Sequence, residues 1–231
     1  MPNLLRVFKR SSNRTPTFYI YVSQTKVEML VPQIPASHLR SLEAEIKVNV
    51  AAFAVGVKKP AFAPSPELTA KTKVLSDYLE KQEGWVGTVA KPGRYVKGIA
   101  SLRYGRIGNY VAGLAFFGGD VDGVKVGLIG SPESLIGAAD SPATDHSLDH
   151  YLLTFLNGVA REATDPPVHP AFVADEDWLE SEGGNGYAYA VDRALRPGVL
   201  PHEHRLEFLA KTLFQDDGLL VATPIYVAFA D

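Results

Sequence analysis

Hydrophobic and polar positions alternate with a period of two over residues 17–23, where Phe18, Ile20 and Val22 interleave with Tyr19 and Tyr21. This predicts a strand entered after Pro16 and left through the polar run Ser23-Gln24-Thr25. A turn bounded by Pro32 and Pro35 leads to an expected short helix at 37–43. Ile46, Val48 and Val50, separated by Lys47 and Asn49, then predict a half-buried strand within 45–58. The next helix is punctuated at both ends. Ser65 stands as N-cap, Pro66 at the first helical position and Glu67 in the positive first turn. Leu68, Thr72, Leu75 and Leu79 form one stripe, and Gly84 supplies the stop.

From Trp85 to Gly130 the helical period is absent. Antiparallel strands are expected at 93–104, 110–117 and 124–129, with turns at Gly118-Gly119-Asp120 and Asp122-Gly123. Leu148, Tyr151, Leu152, Phe155, Leu156 and Val159 recur at spacings of three and four, predicting a helix over 147–161. A strand is expected at 187–191. Leu206, Leu209, Ala210 and Leu213 predict a third helix over 203–214, ended by Asp216-Asp217-Gly218, and 219–229 reads as a closing apolar strand. The order is too irregular for a doubly wound α/β sheet. The pattern predicts an α+β fold: a mainly antiparallel sheet with about three packed helices, one integrated domain over 17–231, and a basic segment at 1–16.

Composition narrows the chemistry. The 231 residues are 46% hydrophobic and 21% charged, ordinary for a globular chain long enough to bury a substantial core. A formal net charge of -3 weighs against a dedicated nucleic-acid surface, although Arg6, Lys9, Arg10 and Arg14 give the amino end a local excess of positive charge. With no cysteine, disulfides, thiolate chemistry and Cys-ligated zinc are excluded. No apolar run reaches the length of a membrane span, and the start lacks the apolar core of a signal peptide, so the cytoplasm is the expected location. A homo-oligomer is compatible with the pattern.

The glycine-rich centre, 98–137, sets arginines and aromatic residues between tight turns. Such a stretch can shape an anion pocket or simply form compact hairpins. Ser23, Thr25 and Lys26 follow the first strand, where hydroxyls and an ammonium can meet an anion. Equally, Ser23 or Thr25 can cap a short helix carrying Val27 and Leu30. Arg103 and Arg106 can each hold a phosphate or carboxylate through paired hydrogen bonds, or lie as exposed strand residues over apolar surface. Gly130 and Ser131 can form an anion-gripping turn; Ser131 can also cap a turn that begins at Pro132. Strong motifs are missing: neither G-x-x-x-x-G-K, G-x-S-x-G nor H-E-x-x-H occurs, and no cofactor is implied. His146 and His150 share a helix face, but acids and incidental histidines at a helix start account for them. His202-Glu203-His204 splits its side chains, and the acidic set around Trp178 offers no paired acid and base.

The phrases F-Y-I-Y-V-S-Q-T-K-V-E-M-L at 18–30, L-R-Y-G-R at 102–106, V-G-L-I-G-S-P-E-S-L-I-G at 126–137, L-E-F-L-A-K at 206–211 and A-T-P-I-Y-V-A at 222–228 resemble a family of uncharacterised bacterial proteins, mainly from actinomycetes, classed as a domain of unknown function. The resemblance spans almost the whole chain and implies one integrated module. It carries no catalytic residue across. The residues themselves favour a module that binds or senses a small anionic molecule, such as a nucleotide or phosphorylated metabolite, through Ser23, Thr25, Lys26, Arg103, Arg106, Gly130 and Ser131. An enzyme acting on a phosphorylated substrate ranks second for want of an obvious base, and a protein-interaction domain third.

Overall fold

The computed structural model describes residues 17–39, 64–107, 114–136, 191, 194–195, 200 and 202–230. Its strands are β1 (Tyr19–Val22), β2 (Val86–Gly87), β3 (Tyr95–Ile107), β4 (Leu114–Val121), β5 (Val124–Gly130), β6 (Glu203–Asp216) and β7 (Leu219–Phe229). Helix α1 (Gln24–Leu30) follows β1, and α2 (Pro66–Lys81) precedes β2. The α+β expectation holds.

The strands close on themselves. β3 pairs with β4, β4 with β5 and β6 with β7, all antiparallel; β5 runs parallel to β7, and β6 pairs antiparallel with β3 to complete the ring. The result is a five-stranded Greek-key barrel, an architecture that removes open sheet edges and that also includes the oligonucleotide- and oligosaccharide-binding barrels. That architecture hosts many functions, so it does not by itself assign a ligand.

Why these residues close a barrel is visible in their alternation. Val96, Ala100 and Leu102 of β3, Ala115 and Phe117 of β4, Val126 and Leu128 of β5, Leu206, Phe208 and Ala210 of β6, and Leu220, Ala222 and Val227 of β7 form the inner core. On the outer surface, α2 and α1 lay Val27, Ala70, Val74, Leu75 and Leu79 against Tyr95, Leu209, Ile225 and Tyr226. Val191 and Ala194 are both buried, and Val191 lies against Gly127 of β5.

Several expectations are met in detail. Ser65 caps α2, its Oγ accepting from Leu68 N–H at 3.0 Å, with Pro66 and Glu67 in the first turn. Asp122-Gly123 joins β4 to β5 as a two-residue turn with φ of 53° and 84°, the left-handed pair that a tight hairpin demands.

Others are corrected. Residues 203–214 form strand β6, not a helix, because closing the barrel between β3 and β7 outweighs the helix propensity of Leu, Glu, Ala and Lys. Gly118-Gly119-Asp120 continue β4 in register with Gly127, Val126 and Lys125, so the chain reverses only at Asp122. Val191 is helical, its carbonyl accepting from Leu195 N–H at 3.0 Å, where a strand end was expected. The expected strand within 45–58, the helix over 147–161, His146, His150 and the acidic set around Trp178 lie outside the described residues.

Candidate functional site

β7 carries two strands along one edge. Its first half pairs with β5 through Leu219–Ala222, and its second half pairs with β1 through Tyr226–Ala228. Because β5 is parallel to β7 and β1 antiparallel, the carboxyl ends of β5 and β1 approach one another beside Thr223–Ile225. The chain then turns away on both sides: Ser131 leads into a 3₁₀ turn, Pro132–Ser134, and Ser23 leads into α1. This junction brings Ser23, Lys26, Gly130 and Ser131 together.

At its centre is Tyr21, wholly buried and facing the barrel core edge-on to Phe117, with ring centroids 5.6 Å apart. Its Oη fills the space where a Gly130 side chain would begin. Among the described residues no group completes a hydrogen bond with that hydroxyl. Burial pushes its pKa up to about 12, opposed by Ser134, Ser23 and the Ser131 backbone, which lie near enough to favour the ionised form. Ser131 takes the N-cap position of its turn without a side-chain capping bond.

Ser23 stands between inside and outside. Its N–H donates to Ile225 O at 2.9 Å, its carbonyl accepts from Val27 N–H, and its hydroxyl accepts from Lys26 Nζ at 3.4 Å instead of capping α1. Lys26 itself is half-buried on the outer surface. Burial lowers its pKa to about 8, and the nearby Lys211 ammonium adds to that. Lys211 reaches the same place by register: it lies opposite Thr223 in the β6–β7 ladder, and residues directly opposite project from one face. Thr223 Oγ1 is also buried, without a hydrogen-bond partner among the described residues. Two lysines thus share a corner with buried hydroxyls, and among the described residues no carboxylate pairs with Lys26.

The other sequence candidates are placed apart. Thr25 is exposed on α1. Arg103 projects from β3, where its Nε bonds Glu203 Oε1 at 3.3 Å. Arg106 is exposed and in register with Ala115, which in turn pairs with Gly130, so it sits two strands from the junction, about 10 Å away. His204 projects toward Tyr104 and Phe229, packing by ring contacts at 5.5 and 5.6 Å. Among the described residues no three metal-ligating side chains gather, and no helix is long and apolar enough to cross a membrane.

Sequence reasoning missed Tyr21, Lys211 and Thr223. Lys211 sits in the stretch taken for a helix, although Leu206, Phe208, Ala210, Thr212 and Phe214 also alternate strictly and Asp217-Gly218 is a hairpin signal. Comparison with curated proteins found no match, and comparison with solved structures found none. The model of one family matches residues 17–231, nearly the whole chain, and the protein therefore belongs to a family of unknown function, DUF7019.

Proposed function

We propose that the protein binds a small anionic molecule, of the nucleotide or phosphorylated-metabolite class, at the corner formed by Ser23, Lys26, Lys211 and Thr223. The observation that supports this reading is the state of Lys26. Its amine is partly desolvated beside a second lysine and donates to a neutral serine hydroxyl. Placing like charges together without a counter-charge is unfavourable, and an incoming anion relieves it. Thr223 Oγ1 adds a buried hydroxyl with hydrogen-bonding capacity unused. Arg103 is left to its ion pair with Glu203, and the reading does not need it.

Calorimetric titration with pyrophosphate and with a nucleoside triphosphate tests this directly. The native protein is expected to bind, and Lys26→Met to bind about tenfold to a hundredfold more weakly, the scale of one hydrogen bond to a charged group. Equal affinity in both proteins, or no heat and no thermal shift with either anion, would overturn the reading.

A further inference from the structure

We infer that Lys26 Nζ is a nucleophilic amine that condenses with the carbonyl carbon of a small anionic carbonyl compound, with Lys211 holding the anionic group. The inference rests on the anion-binding reading and adds a covalent step to it. The geometry needed is an amine held in place, kept out of an ion pair, and set beside a second cation. Lys26 meets each condition. It projects from α1 over the outer surface of the barrel, its Nζ 3.4 Å from Ser23 Oγ, and Ser23 is itself buried and fixed by the bond from its N–H to Ile225 O. Lys211 arrives from β6 opposite Thr223, two residues along β7 from that anchor. A lysine partly desolvated beside a second cation keeps a share of its amine unprotonated near neutral pH, and only that form attacks carbon.

The step balances without a further reactant. The Nζ lone pair forms a bond to the carbonyl carbon, the carbonyl π electrons move to oxygen, and oxygen takes up a proton as nitrogen releases its first, giving a neutral carbinolamine that retains one N–H. Nitrogen then releases a proton, the hydroxyl leaves as water, and the imine remains. Ser23, whose Oγ accepts from Nζ, is a positioning residue that orients the amine.

Incubation of the full chain with glyoxylate and cyanoborohydride, followed by peptide mass spectrometry, tests the inference. The imine is reduced to a stable secondary amine, and the label is expected at Lys26 at least about tenfold faster than at the other lysines. Lys26→Arg, which keeps the charge, is expected to fold with an unchanged melting temperature and lose that label; Lys211→Met is expected to slow it. Uniform labelling of all lysines would overturn the covalent step alone, leaving pyrophosphate binding to stand or fall by titration. Equal labelling of Lys26 by glyoxylate and by neutral propionaldehyde would remove the anion from the recognition, and the inference and the underlying reading would both fail.

Discussion

Gly130 shows how one residue fixes the junction. Its α-carbon lies so close to Tyr21 that a methyl group there would collide with Oη and with the ring carbon that bears it. Gly130→Ala is therefore expected to destabilise the fold by about 1–3 kcal/mol, the usual cost of overpacking a closed core. Tyr21→Phe is expected to be nearly neutral or stabilising, because it deletes a buried hydroxyl that has no partner among the described residues. The double variant should lose less than Gly130→Ala alone, since the nearest colliding atom has gone. Urea unfolding of the three variants measures all of this. A Tyr21→Phe cost above about 1.5 kcal/mol would mean that the hydroxyl is satisfied by a buried water. At this scale the sequence was partly legible. Ser23 and Lys26 stood out as polar groups ending a strand, whereas Thr223 and Lys211 acquire meaning only through the β6–β7 register.

Elements are held to one another by a polar network that the apolar stripe of α2 does not reveal. Lys97 of β3 reaches Glu80 of α2 at 2.9 Å and Glu207 of β6 at 3.4 Å; Ser76 Oγ donates to Glu80, and Tyr226 Oη donates to Glu207 at 2.7 Å. Burial pulls the Lys97 pKa down, but Glu80 and Glu207 outweigh it and the net direction is up. A base whose folded pKa is raised contributes stability at pH values below its unfolded pKa and loses it as pH rises through the folded value. Lys97→Met is expected to cost about 1 kcal/mol near neutrality, within the range for partly exposed pairs joined in a network, and the gap between variant and native should close as pH rises above the ordinary lysine range. Denaturant midpoints taken across pH check both the size and the upper edge of the window; a gap that stays constant through the alkaline range would show that the Lys97 stem contributes by packing and its charge does not. The helix α2 was legible because its cap, its first-turn proline and its stripe are local. β6 was not, since Leu206, Leu209, Ala210 and Leu213 fit a helix, while Leu206, Phe208 and Ala210 fit a strand. Only neighbours distant in sequence decide between the two.

For the whole molecule, closure is the property that no local pattern announces. β3 and β6 pair across about a hundred residues of chain, illustrated by Arg103 with Glu203, and β7 is bounded by β6 along one edge and by β5 and β1 along the other. A strand paired on both edges can release its amides only when the barrel opens, whereas a short edge strand such as β2 can detach while the ring survives. Amides of β7 and of the β3–β6 ladder are accordingly expected to exchange slowest, all with one free energy equal to that of global unfolding, and those of β2 and α1 to exchange faster through local opening. Native-state hydrogen exchange across a denaturant series tests the arrangement. Slow amides that converge on a single unfolding isotherm fit a closed ring; a β4–β5 hairpin that exchanges as its own unit, well before β6 and β7, would mean that the parallel β5–β7 seam opens independently. That seam ends where Gly130 meets Tyr21 and Ser23 leads to Lys26, so an anion held at the corner should slow exchange along the seam more than in the β3–β6 ladder. The same exchange experiment with and without pyrophosphate therefore links the stability of the barrel to the occupancy of its candidate site.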